Sequence, residues 1–304
     1  MSDYWYTIIN PTSGSGKSLR QLNLIKKLFK KNNLNTIIVL TEYIHHEKEL
    51  VQTAIEQGYT KFISVGGDGT LHHIINGIMS QNTIATNKIK VAVIPVGTGN
   101  DWVKTYKIPN NIEGAIQIIN KENIIFQDIG YLKLLDTNNK LYFNNLAGIG
   151  FDAFVVKRIS SFKKIGTIAY LLGGLTSFFS YKKNMLHVII DNKNIKTKIF
   201  MISIGLCKYS GGGMQLTDFK NHKNGVFDIT LIKNITLIKV LLHLKKLFNG
   251  KIIHLKEVET HQSKSLKVLS NKAAYIQADG ELLGKGNVEI NIINNAIQYV
   301  VPEE

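Results

Sequence analysis

The chain has 304 residues, 44% of them hydrophobic, so its length predicts two domains, each large enough to bury a core of its own. A charged fraction of 19% with only 4 Pro excludes a disordered or collagen-like chain, and the single cysteine excludes a disulfide-stapled fold. Lys and Arg total 37 against 22 Asp and Glu, a net charge of +15 that indicates an anionic partner; because these cations are almost all lysine, we expect no nucleic-acid partner.

Strand-like and helix-like segments alternate along the first third of the chain. Short β-branched or aromatic runs are typical of strands, and apolar residues that recur every three or four positions are typical of helices. The predicted strands are 4–10, 36–40, 61–65 and 90–95, and the predicted helices are 18–31, 47–57 and 71–79. This order predicts a doubly wound α/β domain whose parallel sheet gathers ligands at the carboxyl ends of its strands.

The pattern changes after about residue 127. Serial strand-like runs with turn-sized gaps predict an antiparallel β-sandwich as the second domain. The predicted strands are 131–135, 140–146, 185–191, 196–205, 225–232, 252–259, 265–269, 273–279 and 287–300, with helices at about 162–181 and 236–249. We therefore expect a first domain over 1–127 and a β-rich domain over 128–304, whose final strand is a candidate to return to the first domain.

Residues 165–181 carry no charge, so they are a candidate for a membrane-spanning helix. Its glycines and hydroxyl groups favour a buried or interfacial helix, because a spanning helix needs about 20 strongly apolar residues. The first residues lack the basic and long apolar regions of a signal peptide. Together with the single cysteine, this predicts a protein of the reducing cytosol.

Three glycine-rich loops follow predicted strands of the first domain. Glycine lets backbone N–H groups approach a phosphate closely at the N-terminus of a helix. Each loop alone could be a tight βα turn, but the three together, two of them carrying an aspartate, predict a polyphosphate site. The residues Gly16-Lys17-Ser18 look like the end of a P-loop, yet Pro11 stands where that motif needs glycine, so we exclude one. The loops are Asn10-Pro-Thr-Ser-Gly-Ser-Gly-Lys-Ser18, Gly66-Gly-Asp-Gly-Thr70 and Gly97-Thr-Gly-Asn-Asp101.

These loops and two later motifs together resemble the bacterial soluble diacylglycerol kinases and related lipid kinases. The later motifs are Phe143-Asn-Asn-Leu-Ala-Gly-Ile-Gly-Phe-Asp152 and Ala278-Asp-Gly-Glu281, so the resemblance runs nearly from end to end. Gly-Gly-Asp-Gly-Thr alone is shared with NAD kinases and 6-phosphofructokinases, whereas the combination is much more specific. The resemblance implies a nucleotide-binding α/β domain followed by a β-rich lipid-binding domain.

The resemblance also implies roles for individual residues. An acidic network at the phosphates would contain Asp68 and Asp101, with Asp128 as a further candidate. Asp279 and Glu281 would form the catalytic pair, and one of the two would accept the proton of the lipid hydroxyl. Phosphoryl transfer needs Mg²⁺, positioned donors and such a carboxylate. From the residues alone, Asp279-Gly280 equally suits a hairpin turn. The ATP contacts would come from Asn10, Pro11, Thr12, Ser13, Gly14, Thr41, Gly66, Gly67, Asp68, Gly69, Thr70 and Thr98.

One loop departs from the family's pattern. In the family, an Asp before a late strand ligates a structural Mg²⁺ together with backbone carbonyls. The corresponding segment here is Asn221-His-Lys-Asn-Gly-Val-Phe-Asp228, where Asn224 replaces the acidic ligand. The metal ligands would then be Asn221, Asn224 and Val226, and a neutral amide holds Mg²⁺ less well than a carboxylate does.

The resemblance predicts an ATP- and Mg²⁺-dependent kinase that phosphorylates diacylglycerol to phosphatidic acid. Two alternatives stay open: a kinase for another lipid alcohol, such as a sphingoid base or an undecaprenol-like alcohol, and a catalytically weak lipid- or nucleotide-binding regulator. An NAD kinase is disfavoured, because the loop at 97–101 fits the lipid-kinase pattern and no Asn-Glu dinucleotide site follows the fourth strand.

The expected lipid substrate predicts the location of the protein. A diacyl lipid does not leave the bilayer cheaply, so we expect a cytoplasmic protein peripherally associated with an anionic membrane. Lysines around the uncharged segment are the better candidates for its docking surface, whereas helix 236–249 is equally well explained by a solvated face. Exposed strand edges in the second domain also allow a homodimer. The docking lysines are Lys163, Lys164, Lys182 and Lys183.

Overall fold

The computed structural model describes residues 3–97, 99–159, 174, 176–219, 225–270 and 274–303. Contacts divide the chain into two compact units. The first unit contains Met1–Asp128 together with Asn294–Glu304, and the second contains Ile129–Ile293. Both ends of the chain therefore belong to the first unit.

The first unit is built on a parallel sheet. Its strands are β1 (Trp5–Ile9), β2 (Thr36–Leu40), β3 (Lys61–Gly66) and β4 (Lys90–Pro95). Its helices are α1 (Ser13–Arg20), α2 (Leu22–Lys31), α3 (His46–Glu56), α4 (Asp68–Met79), α5 (Asp101–Thr105) and α6 (Ile112–Lys121), with a 3₁₀ turn at Thr86–Lys88. The order β2–β1–β3–β4, parallel throughout, confirms the predicted doubly wound α/β fold. The winding reverses between β1 and β3, where such folds bind ligands.

Burial explains why the strands of this unit are almost continuously apolar. Every residue of β1 and nearly every residue of β3 and β4 is buried. A parallel sheet covered by helices on both faces has no polar side to expose, so its strands do not alternate.

The second unit is an antiparallel β-sandwich, as predicted. One sheet contains β5 (Ile124–Leu134), β6 (Lys140–Phe143), β8 (Asn184–Ile190), β9 (Lys193–Ile199), β13 (Ser265–Ser270) and the first part of β16 (Val288–Val300). The other has the order β12–β11–β10–β7–β14–β15, formed by β7 (Leu146–Gly150), β10 (Met201–Gly205), β11 (Phe227–Ile232), β12 (Val258–Ser263), β14 (Tyr275–Ala278) and β15 (Glu281–Lys285). Alternate side chains of both sheets fill one core, for example Val188, Val268, Ile202 and Ile229.

A second, smaller hydrophobic cluster lies on the opposite side of the β7–β10–β11 sheet. Phe200, Met201 and Ile232 contribute to it from the sheet region, and Val240 and Leu247 pack on it from short helices. The helical segments of this unit are α7 (Phe151–Ile159), residues 176–180, Leu237–Leu242, Leu244–Phe248 and a 3₁₀ helix at Lys251–His254.

Two strands run from one unit into the other. Strand β5 begins in the first unit, and β16 ends there, where Gln298 and Tyr299 pair in parallel with Lys90 and Val91 of β4. The first part of β16 pairs with β13 in the second unit.

Several predicted elements of the second unit need correction. The predicted strand 196–205 is two strands, because the chain leaves one sheet and enters the other at Phe200. The predicted strand 140–146 is likewise split into β6 and β7, and predicted strand 252–259 begins as a 3₁₀ helix. Most of the predicted helix 162–181 lies outside the described residues. Within the described stretches, every helix is too short or too polar to cross a membrane.

Candidate functional site

The carboxyl ends of β1, β3 and β4 bring the three glycine-rich loops together. A Cβ added to Gly97 would lie 2.5 Å from the Cα of Gly67, and a Cβ added to Gly14 would overlap the carbonyl oxygen of Val96. No side chain fits at these contacts. The glycines therefore let three backbone segments meet at the point where the winding of the sheet reverses.

The first loop has a left-handed backbone before its helix continues. Gly14, Ser15 and Gly16 have φ angles of 59°, 56° and 80°. The side chain of Asn10 fixes the start of this loop, because its Oδ1 accepts the N–H of Thr12 at 3.0 Å and the hydroxyl at 2.8 Å. Turns of this kind direct successive N–H groups into one concavity, which suits an anion.

Asp68 joins the second loop to the third. It is the first residue of α4, and its carboxylate accepts the N–H of Asp101 at 3.0 Å and that of Trp102 at 3.3 Å. Asp101 is itself buried, with Oδ1 3.1 Å from Nζ of Lys104. The two predicted acidic residues are thus brought together, and Asp68 also holds the N-terminus of α5 in place.

Glu47 is a buried carboxyl group that the sequence analysis missed. Its Oε1 accepts a hydrogen bond from Nδ2 of Asn10 at 3.2 Å, so it supports the residue that shapes the first loop. Burial raises the pKa of Glu47, although the hydrogen bond from Asn10 partly opposes the change. Nothing in the sequence distinguishes Glu47 from Glu49, the next acid in the first turn of α3.

The remaining predicted ATP contacts lie at or near the same edge of the sheet. Pro11 follows β1, and Thr41 is buried directly after β2 with its N–H bonded to the carbonyl of Ile9 at 3.0 Å. Ser13 and Thr70 bring their hydroxyl oxygens to 3.4 Å across the first and second loops. Gly66, Gly67 and Gly69 are in the second loop, and Thr98 lies outside the described residues.

Asp128, the further acidic candidate, is placed on β5. It is buried, and its Oδ1 accepts the N–H of Asn295 on β16 at 2.8 Å. This hydrogen bond joins β5 to β16 within the first unit.

In the second unit, Asp279 anchors the segment between β6 and β7. Its Oδ1 accepts the N–H groups of Asn145 and Leu146, and its Oδ2 that of Asn144, all at 3.0 Å. Asp279 has a φ of 50° and stands in the turn that joins β14 to β15, so the hairpin suggested by the residues alone is present. Glu281 is the first residue of β15.

Asp152 is a second carboxyl group whose importance the sequence analysis missed, although it ends one of the motifs. It lies over Gly148, where a Cβ would overlap its carboxylate, and it accepts a hydrogen bond from Nε2 of Gln277 at 3.0 Å. Burial raises its pKa to about 6. Ser203 and Gln277 both pair with Gly148 across neighbouring strands, and Ser203 is fully buried. Asp152, Gln277 and Ser203 thus form a row of polar side chains on a largely apolar sheet.

The site residues include hard oxygen donors but no preformed metal cluster among those described. In that part of the chain, no group of three or more His, Cys, Asp or Glu side chains could hold a metal ion. Asp68 and Asp101 supply carboxylates of the kind that Mg²⁺ prefers, at the edge of the sheet where the glycine-rich loops meet, so the residues of the first unit fit ATP with Mg²⁺. Of the predicted structural ligands, Asn221 and Asn224 lie outside the described residues, and Val226 directly precedes β11.

Family models match both parts of the chain. The diacylglycerol kinase catalytic domain matches residues 4–132, and the YegS C-terminal NAD kinase beta sandwich-like domain matches residues 145–301. The chain belongs to the diacylglycerol kinase family of lipid kinases. This confirms the resemblance that the motifs carry.

Relatives of this lipid kinase family cover nearly the whole chain. A diacylglycerol kinase of Staphylococcus haemolyticus is 26% identical over 299 residues, which are 98% of this chain and 88% of that protein. A diacylglycerol kinase of Staphylococcus aureus strain MRSA252 is 28% identical over 280 residues, 91% of this chain and 86% of that protein. A crystal structure of a diacylglycerol kinase from Bacillus anthracis has the same fold, with a TM-score of 0.75 at 18% identity, covering 99% of this chain and 97% of that chain.

Proposed function

We propose that this lipid kinase transfers the γ-phosphate of ATP to the hydroxyl of diacylglycerol and so makes phosphatidic acid. The observation that carries the proposal is the meeting of the three glycine-rich loops at the carboxyl ends of β1, β3 and β4. It supports a nucleoside triphosphate as the donor, because glycine-rich turns and the N-terminus of α4 meet at one edge of the sheet, and backbone N–H groups at such places bind phosphate. Diacylglycerol as the acceptor is supported by the family and by the activity that the staphylococcal relatives are named for.

The first unit would hold the donor. The loop at 10–16 and the N-terminus of α4 would bind the phosphates, and Asp68 and Asp101 would hold Mg²⁺ with them. Mg²⁺ bound with ATP would neutralise the phosphate charge. The hydrogen bonds from the N–H groups of Asp101 and Trp102 fix the direction of the Asp68 carboxylate before any ligand arrives.

The second unit would supply the proton acceptor. Three N–H groups already occupy the carboxylate of Asp279, so we assign it a positioning role and give proton acceptance to Glu281. The acceptor oxygen forms a bond to the γ-phosphorus while the bond to the bridging oxygen of ATP breaks. ADP leaves with that electron pair, and the hydroxyl proton passes to Glu281.

The test of the function is transfer of labelled phosphate from ATP. Diacylglycerol, a sphingoid base, undecaprenol and NAD are offered separately, the lipids in anionic vesicles. Labelled phosphatidic acid is the expected product. Transfer to a different lipid would replace the acceptor but keep the donor site, and no transfer with ATP binding intact would favour the regulatory alternative.

The carboxylates are tested by a matched pair of variants. We expect Glu281→Gln to lower kcat by about 10²- to 10⁴-fold with unchanged ATP binding and Tm, since it removes only a proton acceptor. Asp279→Asn should abolish turnover while ATP still binds, and it should also lower Tm because the 144–146 segment loses an acceptor. A Glu281→Gln enzyme that turns over at the wild-type rate would remove Glu281 from the reaction.

Peripheral association with an anionic membrane belongs to the same proposal, because the acceptor resides in a bilayer. A homodimer remains a prediction from the sequence.

A further inference from the structure

The segment 237–254 of the second unit has apolar side chains on two sides. On one side, Val240, Leu247 and Ile252 pack on the smaller hydrophobic cluster. On the other side, Ile238 is 70% exposed and Leu242 is 73% exposed. The exposed apolar side chains of this segment are Ile238, Leu241, Leu242 and Phe248.

A neighbouring element adds an exposed aromatic ring. Phe178 and Tyr181 pack on the same hydrophobic cluster as Val240, and Nζ of Lys183 donates to Oδ1 of Asn234 at 2.6 Å. Residues 176–183 therefore lie beside the start of the segment. Within them, the ring of Phe179 is 80% exposed.

The charged residues along this stretch of the sequence are all basic. The sequence has no Asp or Glu from residue 229 to residue 256, whereas lysines are frequent there. Lys239 is paired with Glu257 and Lys233 with Glu259, two acids just beyond this range, whereas Lys245 and Lys251 are exposed. The lysines of the range are Lys233, Lys239, Lys245, Lys246, Lys251 and Lys256.

We infer that residues 237–251, together with Phe179, form the surface by which this protein docks on an anionic phospholipid bilayer. Apolar side chains at 238, 241, 242 and 248 enter the boundary between headgroups and acyl chains, where exposure to water no longer costs free energy. Lys245, Lys246 and Lys251 lie near the lipid phosphates. The sequence analysis explained helix 236–249 equally well by a solvated face, and the exposed apolar side chains favour the docking surface instead.

Charge complementarity is the reason for choosing a bilayer as the occupant. A negative membrane surface attracts every lysine near it without requiring a particular geometry, and lysine is a point charge suited to that task. The inference rests on the proposed function only in that the acceptor is a bilayer lipid. Docking needs neither ATP nor turnover, so it is tested without either.

The test is flotation of the purified full-length protein with two kinds of vesicle. One kind is pure phosphatidylcholine, and the other is an equimolar mixture of phosphatidylcholine and phosphatidylglycerol. We expect wild-type protein to float with the mixed vesicles and Ile238→Ser/Leu242→Ser to bind them at least about tenfold less tightly. The matched control is Ile44→Ser, which changes an apolar residue that is 79% exposed in the first unit and should not affect binding.

The charges are tested in the same assay. Lys245→Glu/Lys246→Glu should weaken binding to the mixed vesicles by about tenfold or more. Lys26→Glu/Lys27→Glu, a reversal of two adjacent exposed lysines on α2, should leave binding unchanged. Equal losses in both variants would overturn the inference, because net charge alone would then explain the binding.

A fluorescent variant reports insertion directly and does not depend on loss of binding. The native Trp5 and Trp102 are buried, so the emission of Leu242→Trp should shift to the blue on mixed vesicles while that of the wild type stays constant. An unshifted emission from vesicle-bound Leu242→Trp would overturn the inference, and so would a wild-type dimer in sedimentation that Ile238→Ser/Leu242→Ser abolishes. If docking behaves as expected but no lipid is phosphorylated, the surface stands and the proposed function fails.

Discussion

At the scale of single residues, Gly97 marks a point where the fold leaves no space for a side chain. A Cβ there would lie 2.5 Å from Cα of Gly67 and 2.8 Å from Oδ1 of Asn100. We expect Gly97→Ala to destabilise the first unit by about 1–3 kcal/mol, measured by urea unfolding. Gly69→Ala is the control, because the space around Gly69 is open and alanine should stabilise α4 by about 0.5–1 kcal/mol. Equal stability of the two variants would mean that the loops do not touch.

Asp152 makes the stability of the second unit depend on pH. Burial raises its folded-state pKa to about 6 from an ordinary 3.8, so the folded state holds this proton more tightly than the unfolded chain does. The stabilising contribution of the protonated group is therefore complete below pH of about 4 and is lost as the pH rises through about 6. A folded-state pKa of about 6 against an ordinary 3.8 corresponds to about 3 kcal/mol in the free energy of unfolding.

The variant Asp152→Asn cannot lose a proton and tests this dependence. Relative to the wild type, its free energy of unfolding should rise by about 3 kcal/mol between pH 4 and pH 7, as measured by urea unfolding at each pH. Glu56→Gln, at an exposed carboxyl group, should show no such trend. A difference between Asp152→Asn and the wild type that is constant with pH would contradict a raised pKa.

At the scale of elements, α6 depends on its cap. Oδ1 of Asn111 accepts the N–H of Gly114 at 2.7 Å and satisfies a donor that the helix leaves unpaired. We expect Asn111→Ala to cost about 1 kcal/mol in the free energy of unfolding. Gln117→Ala, on the exposed side of the same helix, should change it little. An Asn111→Ala variant with an unchanged free energy of unfolding would show that packing, not the cap, stabilises α6.

Elements with a local signal were predictable from the sequence, and those set by distant contacts were not. Strand β4 was predicted with its observed bounds, because its apolar run is continuous and ends at Pro95. Helix α5 has only five residues, and its N-terminus is held by Asp68, which lies 33 positions away, so no local pattern indicates it. The change of sheet at Phe200 gives no local signal either, because residues 199–202 form one continuous apolar run, Ile-Phe-Met-Ile.

The same limit applies to the candidate site. The glycine-rich loops were predictable because their backbone conformation and close contacts require glycine, which is visible in the sequence. Glu47 and Asp152 were missed as buried acids because burial depends on elements that pack over them. The three N–H groups on Asp279 come from residues more than 130 positions earlier, so the sequence could offer only a turn or a family role.

At the scale of the whole molecule, the last strand of the chain completes the sheet of the first unit. Tyr299 is fully buried with its ring 4.6 Å from that of Trp102, and the N–H of Asn295 binds Asp128. A chain that ends at Ile293 should therefore lose roughly 10 °C or more from the unfolding midpoint of the first unit, measured by calorimetry. A chain that lacks only residues 303 and 304 should unfold like the wild type. Unchanged unfolding of the longer truncation would show that β4 needs no neighbour.

The path of β16 also governs the order of events during synthesis. Ribosomes add about 5–20 residues per second, so roughly 10–35 s separate the making of Asp128 from that of Glu304. Throughout that interval β4 has no partner on its outer side, and Trp102 lacks the ring that covers it. The first unit, although translated first, therefore finishes folding last, after the sandwich has emerged. A premature stop codon within the second unit consequently leaves both units incomplete.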